Sequence, residues 1–288
     1  MKTSIQAILS FILFSVGVAL AAPTEIDERN AYTNSFNSMA SSLMNWYGSL
    51  ISEENNTFEK VNSKWDPYRA QYPTNITQIK IVSTKMSQLD DAEHYKFIVE
   101  AKIIADKQSQ IITETFFFSV PYLKSAEIKN IVRDKQELVS PDGMGFDSAQ
   151  FQARKFAYAW LAYLDGTQGM ESTLNLKQWI DSASYSIKMG AIDEKNSVAR
   201  TIEKRKNYLT VGGHLLHSLK VEKVENKTNT YVLDLIVEWK GENPSGKPVL
   251  AKIHQQIEYQ ITNKLWHVIS IKETHLLPDI APWMGFLC

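Results

Sequence analysis

Apolar residues recur at every third or fourth position in two separate stretches of the chain, and this spacing predicts two amphipathic helices. Trp46 lies in the first stretch and Trp160 in the second. Trp65 follows Trp46 after nineteen residues, and Trp179 follows Trp160 after the same interval. Because the two copies also continue in the same way, the pattern predicts a tandem duplication of one packing unit, with the four tryptophans as core anchors.

Strict alternation of apolar and polar residues follows each helical stretch and predicts half-buried strands. Residues 78–81 correspond to residues 218–221, and residues 95–100 correspond to residues 233–238. Two longer predicted strands end each copy: residues 110–120 and 127–138 in the first, and residues 249–262 and 264–276 in the second. Helices followed by a mostly antiparallel sheet predict an α+β fold, with the helices of each copy on one face of its sheet.

The duplication is uneven, because the second copy carries some extra residues at about 182–213. We therefore predict a first domain at residues 31–145 and a second at residues 148–288. The extra segment contains a mixed-charge stretch, residues 193–206, which predicts a solvated helix. A docking surface is the alternative interpretation of that helix.

The last predicted strand contains Trp266 followed by alternating aliphatic residues, over residues 264–271. Together with the order of elements and the strand lengths, this strand resembles the nuclear-transport-factor-2-like (NTF2-like) superfamily, also called SnoaL-like or cystatin-like. The resemblance covers each copy nearly end to end and implies a curved sheet wrapped around a long first helix, forming a cone. It also implies that an Asp, His or Glu inside a cone could catalyse isomerase, cyclase or dehydratase chemistry.

The first residues have the pattern of a cleaved secretory signal, which we place at residues 1–21. Lys2 gives a positive start, residues 5–20 are almost entirely apolar, and Ala19 and Ala21 form a small-x-small cleavage site. An uncleaved membrane anchor is the alternative, but the apolar run is at the short end for a span. We expect a periplasmic protein, or one that is associated with the outer membrane or secreted, with no integral span after cleavage.

Charge and cysteine content narrow the expected partners. The net charge is −1, with 31 basic and 32 acidic residues, which gives no electrostatic signature of nucleic-acid or anionic-membrane binding. Cys288 is the only cysteine, so an exported form would be held together by packing without an intrachain disulfide.

Ionisable residues on the inner strand faces are the candidates for catalysis. Alternation leaves the inner positions of residues 231–239 and 249–261 uncharged, which predicts that the core side of these two strands in the second copy carries no charge. Glu114 is the exception in the first copy, because it alternates with Ile112 and Phe116. A buried acid has a raised pKa and can act as a base near neutral pH. The alternative is that Glu114 pairs with a lysine or lies at a bulge.

His214 and His217 are further candidates for a base. Their spacing does not suit a metal site, because residues i and i+2 share a strand face and residues i and i+3 do not. The sequence contains no phosphate-binding glycine loop, metalloprotease motif or nucleophile elbow. We therefore predict neither a metal nor a cofactor.

The chain ends in residues 280–288, which contain no charged side chain. Four large apolar side chains in this tail would fold back onto the domain or insert into a partner: Trp283, Met284, Phe286 and Leu287. We predict these residues as interaction residues.

Three functions fit these patterns. The first is a non-enzymatic structural or interaction protein of the bacterial cell envelope, which contacts other envelope proteins or itself. It resembles NTF2-like parts of type IV secretion machines of the Dot/Icm kind, an analogy from fold and compartment. The second is a protein that binds a small apolar ligand in one cone. The third is a SnoaL-like isomerase or hydrolyase that uses Glu114 or a histidine as its base.

Overall fold

The structure is a computed structural model that describes thirteen segments of the chain. These are residues 24–26, 36–51, 65–89, 93–106, 108–120, 126–139, 148–166, 179–180, 182–189, 192–208, 211–242, 245–262 and 265–280. The signal segment 1–21 and the interaction residues Trp283, Met284, Phe286 and Leu287 lie outside these segments.

The first copy forms a five-stranded sheet with order β1-β2-β3-β4-β5. Its elements are β1 (Thr24–Ile26), α1 (Phe36–Gly48), α2 (Asp66–Arg69), β2 (Ile76–Gln88), β3 (His94–Ala105), β4 (Ser109–Ser119) and β5 (Glu127–Val139). Strands β2 to β5 pair antiparallel as a meander, whereas β1 adds to β2 in parallel. Helix α1 packs into the core of this sheet, so the first copy has the predicted cone architecture.

The second copy forms a six-stranded sheet with order β7-β6-β11-β10-β9-β8. Its elements are α3 (Ser148–Leu164), β6 (Ser184–Met189), β7 (Ile192–Ser197), α4 (Val198–Tyr208), β8 (Val211–Lys223), β9 (Thr230–Glu242), β10 (Pro248–Thr262) and β11 (Leu265–Ile280). Strands β8 to β11 repeat the meander of β2 to β5. The α+β fold with two tandem cones is therefore confirmed.

The extra segment of the second copy differs from the prediction. The helix predicted over residues 193–206 begins only at Val198, because Ile192–Ser197 pairs with β6 as strand β7. Strand β6 in turn pairs in parallel with β11. The extra residues thus extend the second sheet by a hairpin and add helix α4 after it.

The tryptophans that revealed the duplication lie at matching places in the two cones. Trp46 on α1 is 2% exposed and Trp160 on α3 is fully buried. Trp65 and Trp179 are partly buried and pack against the two cores. The prediction of core anchors is correct for Trp46 and Trp160, whereas Trp65 and Trp179 contact the cores without lying inside them.

Helix α3 is buried on two sides and joins the cones. Its Phe156 and Trp160 belong to the core of the second cone. Its Phe151 and Tyr158 belong instead to the core of the first cone, together with Phe36 of α1. A helix that fills two cores must be apolar on both sides, which explains why α3 carries so few charges.

The two opening helices pack against each other. Phe36 contacts the ring of Tyr158, with centroids 6.2 Å apart, and Met44 and Arg154 line the same small cavity. We call this α1–α3 contact the seam. In the described part of the chain, no helix is long and apolar enough to cross a membrane.

Candidate functional site

Glu114 lies inside the first cone with its side chain fully buried. Its Oε1 accepts hydrogen bonds from the hydroxyls of Tyr68 at 2.8 Å and Tyr72 at 2.7 Å. Its Oε2 accepts from the hydroxyls of Tyr47 and Tyr72, each at 2.8 Å. A carboxylate offers about four lone-pair sites, and these hydroxyls occupy most of them.

Arg133 on β5 supplies the charge that balances Glu114. Its Nη2 and Nε donate to Oε1 at 2.9 and 3.1 Å, and the guanidinium lies over the ring of Tyr72 with its carbon 4.3 Å from the centroid. Both interpretations of Glu114 were correct in part: it is buried, and it is paired, though with an arginine rather than a lysine. The β4–β5 register also shifts between Thr113 and Glu114. The oxygens of Glu114 are therefore surrounded by donors from three tyrosines and one arginine.

The buried carboxylate changes the titration of the tyrosines around it. Burial, followed by the charge of Glu114, raises the pKa of Tyr47 and of Tyr72 well above the usual value of 10.0. The same two causes raise the pKa of Tyr68. All three hydroxyls therefore remain protonated donors over the whole neutral range.

These raised pKa values predict a loss of stability in alkali. The contribution is fully present below pH 10, where folded and unfolded tyrosines are both protonated, and falls as unfolded tyrosines begin to ionise at about pH 10. Each tyrosine should remove up to about 1.4 kcal/mol from the free energy of unfolding per pH unit above that value. Urea unfolding between pH 8 and pH 11.5, at about half-unit steps, measures the slope. Tyr47→Phe should reduce the slope by the amount that one proton contributes, about 1.4 kcal/mol per pH unit. An unchanged slope would contradict the assignment.

The second cone contains a buried acid that the sequence interpretation missed. Glu273 on β11 is 2% exposed, and its Oε2 accepts hydrogen bonds from the hydroxyl of Tyr185 and from Nε2 of Gln255, the latter at 2.6 Å. His275 Nε2 lies 2.8 Å from its Oε1. The predicted uncharged inner faces of residues 231–239 and 249–261 are confirmed, but Glu273 lies on β11, to which that prediction did not extend.

A shift in strand register explains the miss. Trp266 and Val268 point inward, but the β10–β11 pairing shifts beside them, and Ile271 and Glu273 become the next inward residues. Simple alternation from Trp266 would have placed Glu273 on the outer face. Among its described residues, each cone thus has one buried glutamate in the same pair of neighbouring strands, on β4 in the first cone and on β11 in the second.

His214 lies at the seam rather than inside a cone. Its Nδ1 is 2.5 Å from Oδ1 of Asp165, the residue that follows α3, and both side chains are almost fully buried. Asn37 on α1 donates one amide hydrogen to Asp165 Oδ2 and one to the His214 carbonyl, each at 2.7 Å. Burial raises the pKa of Asp165, although His214 and Asn37 oppose this effect. A polar clamp formed by Asn37, Asp165 and His214 therefore links the first cone to the second.

His214 retains one free nitrogen. Its Nε2 is buried and has no hydrogen-bond partner in the part of the chain that the structure describes. The ring lies beside that of Trp239, with centroids 6.5 Å apart. In the tautomer whose Nδ1–H donates a hydrogen bond to Asp165, Nε2 carries a lone pair, as a general base requires.

The other histidines do not join this cluster. The side chain of His217 is 44% exposed and lies 3.4 Å from Glu238, because the β8–β9 register shifts beside it. His254 contacts Asp234 on the outer face at 2.9 Å. Among the described residues, no group of three His, Cys, Asp or Glu side chains is arranged to hold a metal ion.

The aromatic residues that could line a ligand pocket pack against their neighbours. Phe116 and Phe118 are almost fully buried, with ring centroids 6.4 Å apart, and Tyr231 stacks on Tyr259 at 5.5 Å. At the seam, Phe36, Arg154 and other residues line a cavity of about 10 Å³, which has room for about one water molecule.

Comparison with known proteins finds similar folds among solved structures. No family model and no curated protein matches the sequence. The hexachlorocyclohexane dehydrochlorinase LinA-type3 from Novosphingobium barchaimii LL02 is 15% identical, with a TM-score of 0.37, over 46% of this chain and 92% of that chain. An NTF2-like protein of unknown function from Pseudomonas putida KT2440 is 12% identical, with a TM-score of 0.33, over 45% of this chain and 89% of its own.

A third structure has a cystatin-like fold and comes from Caulobacter vibrioides. It is 11% identical, with a TM-score of 0.28, over 37% of this chain and 77% of its own. The chemistry of this protein has to be drawn from its own residues, since identities this low bear on the fold alone.

Proposed function

We propose that this protein is an exported, non-enzymatic structural protein of the bacterial cell envelope, built as one rigid body from two filled cones. A role as an assembly part of a type IV secretion machine of the Dot/Icm kind is the finer form of this proposal. The observation that carries the proposal is the state of Glu114. Its oxygens are occupied by three tyrosines and one arginine, so the buried acid of the first cone serves to hold the cone together.

The second cone supports the same conclusion. Glu273 binds Tyr185 and Gln255, and Gln255 in turn accepts a hydrogen bond from Trp160 Nε1 at 2.9 Å. This polar chain ties β11 and β10 to helix α3, and buried networks of this kind fix one packing arrangement. In the described part of both cones, the buried acids fasten strands to helices.

Fractionation and cross-linking in the native host test this proposal. The protein should be found in the envelope fraction with its leader removed after residue 21 or 22. Chemical cross-linking should retain it in a complex larger than the 32.8 kDa of one chain. Glu114→Gln keeps the shape of the side chain but leaves Arg133 without its charged partner, so the variant should be less stable, yet it should still enter the complex at temperatures where it is folded. Recovery of an uncleaved, cytoplasmic or uncomplexed chain would overturn the proposal.

A second candidate function rests on His214. A buried imidazole held at Nδ1 by Asp165 and unpaired at Nε2 has the geometry of a base for an isomerase or a hydrolyase. A substrate could reach Nε2 only if the seam opened, because the side chain is 1% exposed.

Modification by diethyl pyrocarbonate tests whether His214 can be reached, with His217 as an internal control in the same chain. We expect His217, which is 44% exposed, to react readily and His214 to be protected at least about tenfold. Mass spectrometry of the peptides measures both rates. Equal rates would favour the enzyme over the scaffold.

A further inference from the structure

Glu273, the buried glutamate of β11, has a histidine beside it on the same strand. His275 lies two positions further along, so the two side chains share the inner face of the second sheet. Nε2 of His275 is 2.8 Å from Oε1 of Glu273, and the two side chains are 9% and 1% exposed. Because water has little access to this pair, the charge of each group acts directly on the other.

Glu273 is held in its ionised form from the other side. Its Oε2 accepts hydrogen bonds from the hydroxyl of Tyr185 on β6 and from Nε2 of Gln255 on β10. Donors of this kind favour a carboxylate over a carboxylic acid. A negative charge therefore lies next to the imidazole of His275.

The first cone balances its buried glutamate with a permanent charge. Arg133 binds Glu114 at 2.9 Å, and a guanidinium stays protonated at every pH at which proteins fold. A histidine instead changes its charge between about pH 5 and pH 8. We infer that His275 makes the second cone pH-sensitive: protonated His275 holds Glu273, and release of its proton weakens the contacts that Glu273 makes.

The groups that face this pair come from four described elements. Strand β6 contributes Tyr185 and strand β10 contributes Gln255. Helix α3 contributes Trp160, which donates to Gln255, and beside it Tyr163. Helix α4 adds apolar side chains to the same core, namely Val198 and Ile202. The titratable groups among them are the two tyrosines, which carry no charge in the neutral range.

Two buried bases of the described chain lie elsewhere. Lys155 lies on the stripe of α3 that also contains Phe151 and Tyr158, and both of these residues pack in the first core. His214 is held by Asp165 at the seam. The charge that changes beside Glu273 is therefore that of His275.

The direction of the effect follows from the charges. Protonated His275 makes a charge-assisted contact with Glu273, about twice as strong as a neutral one, and the unfolded chain lacks this contact. The folded protein therefore binds this proton more tightly than the unfolded chain does. The stability from the pair is fully present below about pH 6.5, the ordinary value for histidine, and is lost as the pH rises and the folded protein releases the proton.

The weakened contacts are those that join the extra segment of the second copy to its sheet. Through Tyr185, Glu273 links β11 to β6, and β6 pairs with β11 in parallel from Ser184 to Lys188. Strand β7 and helix α4 follow β6 in the chain. Strand β6 should therefore open more often at about pH 8 than at about pH 6, while the first cone, held by Arg133, does not respond.

Urea unfolding of the full mature chain between about pH 6 and pH 8 tests the inference. The unfolding equilibrium constant of the wild type should rise at least about threefold over this range. His275→Gln keeps an amide donor but cannot take up a proton, so most of this rise should disappear. Hydrogen exchange, corrected for the intrinsic effect of pH, should place the change in β6 and β11 rather than in β3 and β4.

His254→Gln is the matched control. His254 contacts Asp234 at 2.9 Å on the outer face, where the two side chains are 28% and 32% exposed. An exposed pair contributes little, so this variant should keep most of the pH response. If the two variants lost the response equally, or if His275→Gln kept it, the inference would be overturned.

Nuclear magnetic resonance of the wild type provides a check that needs no variant. The ring protons of His275 should titrate between about pH 6 and pH 8, together with the backbone amide of Glu273. A ring that keeps one charge over this whole range would also overturn the inference. The pH response and the envelope location are measured separately, so either can fail without the other.

Discussion

Arg133→Met is expected to lower the free energy of unfolding by about 3–5 kcal/mol, because it leaves the buried charge of Glu114 without its partner. The side chain of Arg133 is 11% exposed and that of Glu114 is fully buried, so water cannot replace the guanidinium. The variant also loses the contact of the guanidinium with the ring of Tyr72. Urea unfolding at neutral pH measures the loss.

Two further variants separate the charge from the packing. Adding Glu114→Gln to Arg133→Met removes the uncompensated charge and should recover most of the lost stability. Lys129→Met, on the same strand, breaks an exposed pair with Glu127 and should cost less than about 1 kcal/mol. A loss of less than about 1 kcal/mol for Arg133→Met itself would show that Glu114 is not held as described.

Tyr158→Ala is expected to lower the free energy of unfolding by about 3–5 kcal/mol, the range for removing a large buried aromatic side chain. The second expected effect of this variant concerns which cone is loosened. Tyr158 follows the first cone in the sequence, yet it packs in that cone's core beside Phe36. Hydrogen exchange should therefore accelerate in α1 and β2, which belong to the first copy.

Phe156→Ala provides the comparison from the opposite side of the same helix. Phe156 stacks on Trp266 with centroids 4.9 Å apart, inside the second cone. Its removal should cost a similar amount and accelerate exchange in β10 and β11 first. If both variants loosened only the second cone, helix α3 would not be shared between the cores.

The spacing of apolar residues predicted most of the fold, because each copy keeps the two-residue repeat of its strands and the 3.6-residue repeat of its helix in the sequence. Tyr95 and Phe97 point inward on β3 as their spacing requires. Glu114 was detectable for the same reason, since it interrupts an apolar series. Glu273 was hidden because a register shift reversed the inward positions on β11.

The clamp at the seam lies beyond such patterns. Asn37 and Asp165 are 128 positions apart and meet only because α1 and α3 pack together. His214 was a candidate from its residue type, but nothing local to the chain pairs it with Asp165, 49 positions earlier. The domain boundaries at residues 31–145 and 148–288 remain predictions, although β1 lies ahead of the first of them.

Differential scanning calorimetry of the full mature chain tests the central claim most directly, namely that the two cones form one body through α3 and the seam. We expect a single transition whose calorimetric enthalpy equals its van't Hoff enthalpy, because neither core is complete without α3. Two separable transitions, one for each cone, would contradict the account.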